Sequence, residues 1–178
     1  GNQSAHSDTE IRKVRHSRWN KTGARGVKGG GGDKVVEALI KAGYGFATMC
    51  YEDIDKDAKN GFNNGVHQLY DPEEWKGERP GNAWGNIAAW AWGLSRGLDY
   101  LETDHRVDAK KVAVMGHSRL GKTALWAGAT DQRFALVVSN NSGCTGAAFS
   151  RRRKLETIAA MNKRFGHWCC DNYKQYNV

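Results

Sequence analysis

Eight consecutive residues, Gly116-His117-Ser118-Arg119-Leu120-Gly121-Lys122-Thr123, concentrate the chemistry of this sequence. Read as G-x-x-x-x-G-K-[ST], they match the phosphate-binding loop, in which backbone N–H groups and the lysine hold a nucleotide's phosphates. Read as Gly-His-Ser-Arg-Leu-Gly between an apolar run and a helical pattern, they present Ser118 on a sharp strand-to-helix turn. That is the setting of a serine-hydrolase nucleophile. Each reading has a flaw. A phosphate loop needs a carboxylate on a nearby strand end to hold Mg²⁺, and the next apolar run, Phe134 to Val138, leads into Ser139-Asn140-Asn141-Ser142 with no acid. The nucleophile turn normally has its second glycine two residues after the serine, where this chain has Leu120.

The elements around the octapeptide favour an open α/β sheet. Val112 to Met115 and Phe134 to Val138 are short all-apolar runs, read as strands buried on both faces. Thr123 to Ala129 reads as the helix between them. Ile87, Trp90, Ala91, Leu94, Leu98 and Leu101 recur at three- and four-residue spacing, which predicts a long amphipathic helix. A further helix is expected from about Asp33 to before Gly43, then a strand over Tyr44 to Tyr51 and a polar loop from Glu52 to about Gly81. Residues 1–33 read as a basic, glycine-rich arm on one domain spanning 1–178.

Bulk properties narrow the function classes. The net charge of +8 is concentrated between Arg12 and Lys34 and again at Arg151-Arg152-Arg153-Lys154. No zinc-finger, RRM or bZIP signature accompanies it, so the expectation is a solvated face or attraction to an acidic polysaccharide, with no nucleic-acid partner. No apolar stretch approaches a membrane span. Cys50, Cys144, Cys169 and Cys170 form no C-x-x-C pair, so no structural zinc is expected; their disulfide state stays open. Asp53-x-Asp55-x-Asp57 has the opening rhythm of a calcium loop, but Ala58 and Asn64 stand where such loops require Gly and Glu. It reads as a solvated acidic loop, and no metal or other cofactor is expected.

From Asn82 to Cys144 the chain closely resembles the glucuronoyl esterases, the family 15 carbohydrate esterases, in their bacterial branch. The resemblance rests on Ala83-Trp84-Gly85, Ala89-Trp90-Ala91-Trp92-Gly93-Leu94-Ser95-Arg96, Asp99-Tyr100-Leu101-Glu102 and Gly116 to Lys122. It continues through Trp126-Ala127-Gly128-Ala129, Arg133-Phe134-Ala135 and Ser142-Gly143-Cys144, and more weakly through Phe165-Gly166-His167-Trp168. The family's serine motif carries the extra residue before its second glycine, which accounts for Leu120. The resemblance implies a three-layer αβα sandwich of the α/β-hydrolase type, present in part, with terminal strands missing. It implies cleavage of the ester between xylan glucuronic acid and lignin alcohols through an acyl-enzyme on Ser118. Arg119 would stabilise the oxyanion, and Lys122 and Glu156 would bind the sugar. A monomer, secreted or periplasmic, is implied by the same family.

Two departures bear on activity. Many family members carry a catalytic Glu where this chain has Asn141, and an amide cannot stabilise an imidazolium by charge. The family's catalytic His and its alternative acid come later than Val178, so the resemblance implies an internal fragment, weakly active or inactive and marginally stable. None of the internal histidines reads as a base. His117 is expected to pack beside the turn, His105 to sit at the surface, His67 to lie in the long loop, His167 to form a wall, and His6 and His16 to be solvated. Trp84, Trp90, Trp92 and Trp126 are expected to be mostly core. Nucleotide binding through Gly116 to Thr123 and a non-catalytic carbohydrate-binding role are the alternatives.

Overall fold

The computed structural model describes residues 31–59, 62–150 and 156–177. Most of the basic arm, His6, His16 and the Arg151–Lys154 cluster lie outside the described residues. The chain divides into two units, one ending at Ala47 and one running Thr48–Val178.

In the first unit, helix α1 spans Gly31–Lys41. It stops where the sequence predicts, and for the predicted reason. Gly43 adopts φ +84°, a conformation that costs a residue without Cβ little. Its N–H donates to Ile40 O (3.0 Å), and the Tyr44 N–H donates to Leu39 O (3.0 Å), the paired reverse bonds of a Schellman ending.

The second unit is built on one β-α-β crossover. Strand β1 (Ala113–His117) pairs in parallel with β2 (Leu136–Asn140), with Ala113 opposite Leu136 and His117 opposite Asn140. Three further helices precede β1: α2 (Tyr51–Ile54), α3 (Gly65–Tyr70) and α4 (Asn86–Thr103). Helix α5 (Arg119–Thr130) connects the strands and packs on both, with α4 on its other side. Helix α6 (Ile158–Phe165) leads into single turns at Gly166–Trp168 and Asp171–Tyr176. Ile87 and Trp90 of the predicted stripe on α4 form the core with Met161 and Trp168, and Tyr51, Ile54, Leu120 and Phe165 pack around them. Among the described residues no helix is long and apolar enough to cross a membrane.

Three expectations change. Residues 44–50 form no strand, and Tyr51 opens a helix. The run is also not buried, with Tyr44, Phe46 and Met49 all exposed; apolar composition does not by itself make a strand, which needs a partner, and among the described residues only β1 and β2 pair. The strands are not buried on both faces. Val114 is buried while Met115 (65% exposed), Leu136 (59%) and Val138 (37%) face solvent, because α5 covers one side of the sheet. Trp126 is half exposed, whereas Trp90 is fully buried.

Gly116 sets the angle between β1 and α5. A Cβ there would lie 1.9 Å from Leu120 O and 2.9 Å from the Gly121 nitrogen, both backbone atoms that cannot swing away. Gly116→Ala should therefore cost about 1–3 kcal/mol. Gly166, with φ −58° and nothing within 4 Å of an added Cβ, should accept alanine within about 0.5 kcal/mol. Urea melts of the two variants test the contrast.

Candidate active site

Ser118 sits at the joint between β1 and α5 with φ 57° and ψ −123°, a left-handed conformation unfavourable to any side chain. The surroundings impose it. The Ser118 N–H is held by Asn140 O of the neighbouring strand (3.0 Å), while Ser118 O already accepts the first helical bond from Lys122 N (3.1 Å). The chain must reverse within one residue, and the hydroxyl is left exposed at the carboxyl end of the sheet. A Cβ on Gly121 would lie 2.8 Å from Asn140 O, so the second glycine is required at position 121 for helix and strand to pass. Leu120 instead joins the apolar packing around the core cluster.

Arg119 opens α5, so its backbone N–H belongs to the helix's unpaired first turn and lies beside the serine. Its guanidinium forms an ion pair with Asp57 and stands 5.3 Å from the Trp168 ring centre. The Asp57 carboxylate also accepts hydrogen bonds from His167 Nε2 (2.8 Å) and Trp168 Nε1 (2.7 Å). Burial pushes the Asp57 carboxyl up, but these two bonds and the Arg119 charge outweigh it and hold it below the usual carboxylate range.

Lys122, one turn along α5, is buried, and its ammonium donates to Ser142 O. Burial pushes this ammonium below the ordinary lysine range, against the opposing pull of Glu156. Glu156 Oε2 accepts from Cys144 N (3.3 Å). Lys122 Nζ and Glu156 Oε2 lie 3.8 Å and 3.0 Å from the point where a Cβ on Gly143 would sit. The two residues predicted to bind the sugar are thus brought together, at the same end of the sheet as Ser118.

The histidines separate into distinct environments, and none of the four described ones hydrogen-bonds Ser118. His67 lies in helix α3 and not in a loop, and it is fully buried, with Nδ1 2.7 Å from Asp55 Oδ2 and Nε2 3.2 Å from Trp84 O. His117 is exposed, its Nδ1 3.3 Å from Asn140 Nδ2, and His105 lies at the surface as predicted. Asn141 follows β2 with φ 44° and is exposed. The acidic triplet is not a solvated loop. Asp55 is buried, accepting from Asn86 Nδ2 (2.8 Å) and His67, and Asp57 is 8% exposed. Sequence reasoning missed Asp57 as a neighbour of Arg119. The available signal was an acid alternating through a segment that also carries Tyr51 and Ile54.

The phosphate-loop reading of the octapeptide fails here. A phosphate loop stays a loop of free backbone N–H groups up to its second glycine, whereas here β1 ends at His117 and α5 already begins at Arg119, with Gly121 and Lys122 inside the helix. The strain at residue 118 gives a direct check. Ser118→Gly should raise stability by about 1 kcal/mol, because glycine accepts this conformation without strain. An unchanged or lowered urea midpoint would count against a strained turn.

The chain is similar to known proteins over most of its length. A family model described as glucuronyl esterase, fungi, matches residues 33–176. Carbohydrate esterase MZ0003, from an unknown prokaryotic organism, is 47% identical over 99% of this chain and 43% of its own length. A glucuronoyl esterase from Solibacter usitatus superposes with a TM-score of 0.75 at 50% identity, over 80% of this chain and 36% of that one. One from Teredinibacter turnerae gives 0.76 at 31% identity, over 96% and 40%. The chain therefore spans less than half the length of these relatives. The family match runs unbroken from α1 through the Ser118 turn to the Trp168 segment that packs against Arg119, and on that extent the chain belongs to the glucuronyl esterase family.

Proposed function

We propose that this chain carries the nucleophile, the oxyanion groups and part of the sugar site of a serine esterase. The substrate is the ester joining the (4-O-methyl)glucuronic acid of xylan to lignin alcohols. The observation that carries the reading is the strained Ser118 turn, with Arg119 beside it and the Lys122–Glu156 pair one helical turn away. The β-α-β unit is the nucleophile layer of a three-layer αβα sandwich of the α/β-hydrolase type. A polymeric plant-wall substrate fits a protein that is secreted or periplasmic, monomeric and without a nucleic-acid partner.

Ser118 Oγ attacks the ester carbonyl. Negative charge gathers on the carbonyl oxygen, where the Arg119 N–H and guanidinium stabilise it more than they stabilise the neutral ester. The C–O bond to the alcohol breaks, the alcohol leaves with a proton, and water releases glucuronate from the acyl-enzyme. Lys122 donates to sugar hydroxyls and Glu156 accepts from them. The step also needs a base on Ser118 Oγ, and no described histidine is hydrogen-bonded to it. Turnover by these 178 residues is therefore expected to be weak, and binding is the sharper test.

Calorimetry with D-glucuronate should show binding that survives Ser118→Ala. Lys122→Met, which keeps the buried stem, should weaken it roughly tenfold to a hundredfold, the usual worth of a hydrogen bond to a charged group. Glu156→Gln should weaken it less. Absence of glucuronate binding, or a Kd indifferent to Lys122→Met, would sink the reading. Binding without any slow, Ser118-dependent hydrolysis of benzyl D-glucuronate would instead favour a carbohydrate-binding role.

A further inference from the structure

Asp57 takes no part in the ester chemistry described above, yet the loop after α2 delivers its carboxylate to the residue beside the nucleophile. Each oxygen has a separate task. Oδ1 is held by His167 Nε2 at 2.8 Å and Trp168 Nε1 at 2.7 Å, while Oδ2 accepts from Arg119 Nη1. The two donors come from residues 110 and 111 positions away in the chain, so the carboxylate is fixed by tertiary packing and not by its own loop. The supports are themselves immobile. Trp168 is buried and stacked on Phe165 at 4.1 Å, and the His167 side chain is 9% exposed. His167 Nδ1 is buried without a partner.

We propose that Asp57 is a positioning residue for the Arg119 guanidinium, fixing it over Trp168 before an ester binds; this rests on Arg119 serving the oxyanion. Two observations and one general consideration converge on it. The guanidinium is pinned by one N–H only and makes no other hydrogen bond among the described residues, so its remaining donors stay available. Its side chain is 38% exposed while Asp57 is 8% exposed, so the pair is anchored at the inner end and open at the outer one. An arginine free to sample its rotamers would surrender that freedom when the oxyanion forms, whereas one already held does not.

The charge of Asp57 acts in the opposite sense to its geometry. A carboxylate beside the guanidinium reduces the positive field at the oxyanion. Removing it should leave glucuronate binding unchanged or tighter while slowing the chemical step. A purely structural ion pair predicts no such split.

The test uses the full chain with Asp57→Asn. Arg119 Nη–H signals in ¹H–¹⁵N spectra, assigned by their loss in Arg119→Ala, should be resolved in the wild type, reporting slow guanidinium rotation, and should merge in Asp57→Asn. The slow hydrolysis of benzyl D-glucuronate should fall about tenfold in kcat, with KM unchanged or lower, and fall no further when Asp57→Asn is added to Arg119→Ala. Averaged Arg119 signals in the wild type overturn the proposal without recourse to any variant at Asp57. So does a rate loss equally large in the Arg119→Ala background. If wild-type hydrolysis merely equals that of Arg119→Ala, the oxyanion role fails and the positioning role with it. Resolved wild-type signals would then identify the Asp57 contact as an ion pair of the fold alone.

Discussion

A one-residue reversal at Ser118 governs the architecture of this protein. The turn's amide is committed to β2 and its carbonyl to α5, so residue 118 must adopt a conformation that side chains resist. The cost is tolerated because Gly116 and Gly121 let helix and strand approach to distances that any Cβ would prevent. Everything chemically useful is then placed by helical geometry. Arg119 begins the helix, Lys122 follows one turn later, and Ser139 Oγ bonds Gly121 O at 2.7 Å and Ser142 Oγ at 2.9 Å, tying the end of β2 to the same turn.

A second, buried layer of polar contacts stands behind the site. Asp55 accepts from His67 and Asn86, its carbonyl takes the Trp90 indole N–H at 2.9 Å, and Trp84 donates to Asp71 at 2.6 Å. A buried carboxylate is tolerable only when its oxygens are satisfied. Here that satisfaction joins the loop before α3 to the start of α4. Asp57, two residues after Asp55, inherits a fixed starting point, which is why a segment without long regular structure can still aim a charge at Arg119.

The local elements were legible in the sequence. The stripe on α4, the two apolar strands, the helix between them and the glycine stop of α1 all follow from periodicity and turn chemistry, and the octapeptide marked Ser118 and its neighbours. The long-range polar partners were not legible. Asp55 and Asp57 look like solvent-facing acids because their burial depends on His67, Asn86, His167 and Trp168, whose arrival no local pattern encodes. The run from Tyr44 to Tyr51 had the composition of a strand, but sheet formation depends on a neighbour that composition does not supply.

The uncovered side of the two-stranded sheet has a colloidal consequence. Met115, Leu136 and Val138 lie on adjacent paired strands and all face outward, and among the described residues each strand has a free edge. Exposed apolar side chains beside unpaired backbone donors and acceptors make a template for another strand. In concentrated solution this face therefore favours contact between copies of the chain. That tendency belongs to the side of the sheet that carries none of the chemistry.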